Sequence, residues 1–144
     1  MNIQRFGMAA VAVFVVFGLV YYGAMLVFDE QYRALFQRLD INDQPNLVFW
    51  LGAVLYTLVF CYIFVQGHEG KGIGEGVRYG LLIGLLILAL DLGFFGFTSP
   101  PLNIALVISA TDIVAAIAAG ATVAAIYKPA EATPAEAAPS GGME

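Results

Sequence analysis

The sequence predicts an all-α integral membrane protein: a four-transmembrane-helix bundle with a short interfacial helix after the first span. Three observations carry that reading. The chain of 144 residues is 60% hydrophobic and only 12% charged, whereas a soluble domain carries about 25% charged residues. Its apolar residues fall into four separate runs, each long enough to cross about 30 Å of hydrocarbon as a helix. The charges collect between the runs and in a Pro/Ala/Glu-rich tail. Residues 1–128 therefore read as one membrane domain, with spans at about 7–28, 47–65, 76–97 and 102–127. Residues 129–144 read as a disordered tail, because little in them can be buried.

The first span, Gly7 to Phe28, follows Arg5 and has the charged start of a signal peptide. Its apolar run exceeds the roughly 7–15 residues of a signal-peptide core, and no small-x-small site follows, so it is expected to stay as an uncleaved span. Its β-branched residues suit a strand, but a lone apolar run in lipid must satisfy its own backbone, which requires a helix. In the following stretch, Tyr32, Leu35, Phe36 and Leu39 recur at helical spacing, with Arg33, Gln37, Arg38 and Asp40 off that stripe. This predicts a short amphipathic helix, lying on the membrane surface or continuing the first span, whose stripe is a packing face. Pro45 marks a stop before the second span, Leu47 to Val65, where Trp50 and Tyr62 suit the two interfaces.

The connection QGHEGKGIGEG is glycine-dense but lacks GxxxxGK[ST], and no strand precedes it, so it reads as a connector and not a phosphate loop. The third span, from about Glu75 or Val77 to Phe97, carries Gly76, Gly80 and Gly84 at four-residue spacing. Three residues without side chains on one helix face allow a second helix to approach the backbone. Asp91 falls on nearly the same face. The turn GFTSPP then predicts Ser99 as the N-cap of the fourth span with Pro100 in its first position. The turn is short enough to make the last two spans antiparallel neighbours. On the fourth span Ala105, Ser109, Asp112, Ala116 and Gly120 form a small-residue stripe suited to the glycine ridge.

Several chemistries are excluded. His68 is the single histidine, so one chain cannot build a multi-histidine metal site. Cys61 is the single cysteine, which excludes an internal disulfide. A formal charge of −5 without a basic patch argues against nucleic acid. No cofactor is identifiable. Positive charge sets topology: Arg5, Lys71, Arg78 and Lys128 fall on one side, and Arg33 and Arg38 on the other. This favours both termini on the cytoplasmic side.

One constellation bears on function. At 1.5 Å per residue, Tyr21, Tyr56, Asp91 and Asp112 fall within about one helical turn of a common level, with Tyr22 and Thr111 close by. A carboxylate near mid-bilayer costs about 2.5–3.5 kcal/mol on insertion scales. With no basic residue at that depth, at least one aspartate is expected to hold its proton at neutral pH and to donate to the other or to a tyrosine oxygen. Three readings are open. The layer can be hydrogen-bonding glue in a protein with a structural or accessory role. It can be a proton or cation site of a coupled transporter or channel, acting as an oligomer. It can be the acid–base pair of an enzyme, but no nucleophile or metal set accompanies it, so no enzyme is expected. The expected partners are the lipid bilayer and either a homo-oligomer or a larger membrane complex.

The run Gly80-Leu-Leu-Ile-Gly84 followed by Asp91, together with Asp112-Ile-Val, resembles an uncharacterised family of small bacterial four-span membrane proteins. That family's fourth span often has an aromatic after the aspartate, missing here, and its first span often has an acid and a tryptophan where this chain has Gly18 and Tyr21. The resemblance covers residues 10 to 127. It implies a bacterial inner-membrane protein and draws attention to Asp91 and Asp112, and it implies no activity.

Overall fold

The computed structural model describes residues 2–40 and 45–127. Among the described residues there are five helices and no strand: α1 (Ile3–Val27), α2 (Asp29–Arg38), α3 (Leu47–Gly67), α4 (Ile73–Thr98) and α5 (Leu102–Ile126). Lys128 and the expected disordered tail, 129–144, lie outside the described residues. Four of the helices, all but α2, are long and apolar enough to cross a membrane.

Local chemistry sets the helix ends, and it moves some of the predicted ones. Asn2 accepts a hydrogen bond from the Arg5 N–H at 3.2 Å, so α1 begins at Ile3 and not Gly7. Asn46 does the same for α3 through the Phe49 N–H at 3.1 Å. These are ordinary N-caps that satisfy an orphan donor of the first turn. The expected Ser99 cap of the last helix is overturned. Ser99 ends α4 in a left-handed conformation, φ 45° and ψ 55°, with its N–H donating to the Phe95 carbonyl. Helix α5 starts only at Leu102. The tandem prolines explain this, because Pro101 disfavours helical backbone at Pro100.

Helix α5 lies at the centre. It packs on α4, α1 and α2 and more lightly on α3, while α3 rests mainly on α1. Its composition makes this arrangement feasible. Ala115, Ala116, Ala119 and Val123 are fully buried at 0% exposure, and such small side chains let neighbours approach from several sides. Leucines on α4, such as Leu82, Leu86 and Leu90, face outward instead.

The contact between α4 and α5 is backbone to backbone. A methyl group built on Gly76 would strike the carbonyl oxygen of Gly120 and sit 2.7 Å from its carbonyl carbon. One on Gly80 would strike the Ala116 carbonyl oxygen and lie 2.7 Å from the Ile117 Cα. At Gly84 the nearest atom is the Ile113 Cα at 3.0 Å, so the helices separate gradually toward the α4–α5 turn.

Helices α3 and α4 do not pack along their backbones. Aromatic side chains bridge them: the Tyr79 ring meets Phe60 at 4.8 Å and Phe64 at 5.4 Å, and the Tyr79 hydroxyl donates to the Phe60 carbonyl at 2.6 Å. Helix α2 breaks from α1 at Phe28 and buries Tyr32 and Leu35. Arg38 fastens it to the α4–α5 turn, donating to the carbonyls of Thr98 at 3.2 Å and Ser99 at 2.9 Å. The predicted apolar stripe is thus a face packed on α5.

Adding a methyl at Gly80 must push two backbones apart. Gly80→Ala is expected to lower unfolding stability in detergent by about 1–3 kcal/mol. Gly93→Ala, at a position with nothing within 4 Å, is expected to lose nothing and to gain up to about 1 kcal/mol from helix propensity.

Candidate functional site

The register of the α4–α5 hairpin decides where the aspartates meet. Setting Gly76 against Gly120 and Gly80 against Ala116 places Asp91 beside the Ala105–Ser109 turn of α5. There the Ser109 hydroxyl donates to Asp91 Oδ2 at 3.1 Å. Asp112 lies about one turn further along α5, and its carboxyl group faces that of Asp91 closely enough for one to donate to the other. From α1, the Tyr21 hydroxyl donates to Asp112 Oδ1 at 2.5 Å. Hydroxyls and carboxyls from α1, α5 and α4 therefore form one connected group.

Not every residue of the expected layer joins it. The Tyr56 ring packs on Phe17 at 5.3 Å and Phe60 at 6.1 Å. Its hydroxyl makes no hydrogen bond to the carboxyls among the described residues. Tyr22 is 64% exposed and points out of the bundle. Thr111 turns its hydroxyl back onto the Val107 carbonyl at 2.8 Å. The packing set Gly76, Gly80, Gly84, Ala116 and Gly120 lies together in the α4–α5 contact, about two to four turns from Asp91.

Two participants did not stand out in the sequence as polar partners. Ser109 counted only as a small residue, although the hairpin register puts it opposite Asp91. Tyr32 counted as part of an apolar stripe, yet its hydroxyl comes within hydrogen-bonding range of Thr111, the residue before Asp112. Burial pushes the Tyr32 phenol above its usual range, so it stays neutral. That proximity follows from the docking of α2 on α5, which local periodicity does not encode.

Both aspartates remain partly exposed. Among the described residues neither makes an ion pair: Arg33 pairs with Asp29 at 2.7 Å, Lys71 with Glu69, and Arg38 is bonded to backbone carbonyls. No group of three or more metal-ligating side chains occurs among the described residues. Chemically, the arrangement can hold a proton between two carboxyls and accept hydrogen bonds from a phenol and a serine. Compared with known proteins, the chain matches no family model, no curated protein and no solved structure.

The Tyr21–Asp112 bond should be measurable as a coupling. Tyr21→Phe is expected to cost about 0.6–2 kcal/mol of stability in detergent, and the loss should shrink when Asp112 is already alanine. Tyr22→Phe, outside the bundle, should leave stability unchanged.

Proposed function

We propose that this chain is a small integral membrane protein with a structural or accessory role in a membrane complex, and that its polar layer is packing glue. The observation that carries this reading is that each aspartate is answered by a hydroxyl from a neighbouring helix, Tyr21 on Asp112 and Ser109 on Asp91. Interhelical bonds of this kind in lipid contribute about 0.6–2 kcal/mol. Here they tie α1, α5 and α4 at one level. Outward-facing Leu19, Leu55, Leu82 and Leu106 suit lipid contact. The short helix α2, with its exposed Arg33 and Arg38, suits an interfacial position. The charge bias places both termini in the cytoplasm. The resemblance noted above suggests a bacterial inner membrane and a place in the four-span family. Four spans enclose little volume, which favours work within a homo-oligomer or a larger complex, with no enzymatic step of its own.

A second reading has its own support. Two adjacent carboxyls, partly exposed and without an ion pair among the described residues, suit proton- or cation-coupled transport by an oligomer. One experiment separates the two. Asp91→Asn/Asp112→Asn keeps hydrogen-bonding capacity and removes titration. Under the structural reading the double variant keeps its association with the complex, shows no change in proton or cation flux in liposomes, and has a melting-temperature profile against pH of the same shape as the native chain's. Flux in the native protein that the double variant lacks would replace the structural reading with the transport one.

A further inference from the structure

At the end of the bundle where α1 begins and α5 ends, the connection between α3 and α4 encloses His68. Its side chain is 7% exposed and that of Glu75 14%. The imidazole lies between Phe64 and Tyr127, with ring centroids 5.2 and 5.9 Å away. Neither ring nitrogen makes a hydrogen bond among the described residues. Nδ1 stands 3.2 Å from Glu75 Oε2 without the alignment of one. A buried polar group left in this way calls for a physical explanation.

The carboxylate beside it is fixed in place by the connection itself. Glu75 Oε1 accepts from the Glu69 N–H at 2.5 Å, and Oε2 accepts from the Lys71 N–H at 2.9 Å. Gly70 and Gly72, with φ of 80° and 79°, give the backbone the left-handed turns that wrap it around Glu75. Any change in how Glu75 is held is therefore transmitted to the backbone of residues 69–71.

We propose that His68 and Glu75 form a proton-operated latch that fastens the α3–α4 connection to this end of the bundle. Imidazole is the side chain that ordinarily changes charge between about pH 5 and 8. The protonated ring gives the Glu75 carboxylate a charged donor at Nδ1, 3.2 Å away, whereas the neutral ring offers it at most the weaker, uncharged N–H. The fastening is thus present while the ring carries its second proton and is lost when it does not. The other groups at this end do not replace that partner. On α4, Glu75 is the carboxylate that reaches the ring. From the end of α5, Tyr127 presents its ring, and its hydroxyl accepts from the Asn2 N–H at 3.4 Å. On the connection, Glu69 and Lys71 pair with each other on the exposed side. Helix α1 brings Arg5 to this end, and α3 contributes the apolar Phe64. Because α3 and α4 are otherwise bridged by Tyr79 and its aromatic neighbours, the latch governs how firmly the two helices are held together.

The test is amide hydrogen exchange at Glu69 and Lys71 in the full chain in lipid nanodiscs, corrected for the intrinsic rate at each pH. Protection is expected to fall about tenfold between about pH 5.5 and about pH 8. His68→Phe keeps a ring between Phe64 and Tyr127 without a titrating nitrogen, and His68→Gln keeps polarity. Both are expected to show no pH step. Asp91→Asn/Asp112→Asn, which alters the distant polar layer, is expected to retain it. A flat native profile, a step that survives in either folded His68 variant, or a step abolished by the aspartate pair would each overturn the latch.

Discussion

The approach of the α4 and α5 backbones is the contact on which the rest of the structure depends. Within lipid, helices gain little by hiding apolar side chains from one another, so association rests on close packing and hydrogen bonds. Gly76, Gly80 and Gly120 provide the close packing by removing the atoms that would hold two backbones apart. The same economy of volume on α5 draws in α1 and α2 on its remaining sides. A central helix of alanine and glycine thus organises partners with much bulkier side chains, and Phe17, Phe60, Phe64 and Tyr79 fill the space left where α3 stands away from α4.

The polar layer follows from that contact. The two helices touch most closely near Gly76 and separate past Gly84. Beyond that point the gap is wide enough for side chains, and the chain fills it with Asp91, Ser109 and Asp112, joined by Tyr21 from α1. Apolar residues there would have packed without electrostatic cost. The hydrogen bonds instead fix depth and rotation, because each hydroxyl reaches its carboxyl in one register. This is the physical basis for the proposed reading of the layer as packing glue.

The helices were legible in the sequence because long apolar runs, if set in lipid, have one way to satisfy their own backbone. The ridge and stripe were legible because four-residue spacing of small residues has one geometric meaning on a helix. The cap of α5 was misread, since Ser99 followed by proline has the local chemistry of a cap, and the effect of the second proline on the first outweighed it. The site was legible in depth and not in direction. Counting residues from the ends placed Tyr21, Tyr56, Asp91 and Asp112 near one level, with Tyr22 and Thr111 close by. Which of the phenols turned inward depended on the rotation of α1 and α3, and hydropathy this uniform does not encode rotation. The setting of His68 was hidden for a related reason: a glycine-rich connection shows its flexibility in sequence, but not the carboxylate around which it folds.

The most direct measurement is carbon–carbon correlation by solid-state NMR on the full chain in lipid bilayers, with glycine labelled selectively. The packing described here predicts a cross-peak between Gly76 Cα and the Gly120 carbonyl carbon at short mixing times, and a weaker set from Gly80 to Gly120. Those peaks should disappear on dilution of α4 contacts by Gly80→Leu. Absence of the Gly76–Gly120 correlation in the native chain, or its loss when labelled chains are diluted with unlabelled ones, would mean that the glycine ridge faces lipid or a second copy. The account of α5 as the organising helix would then fail.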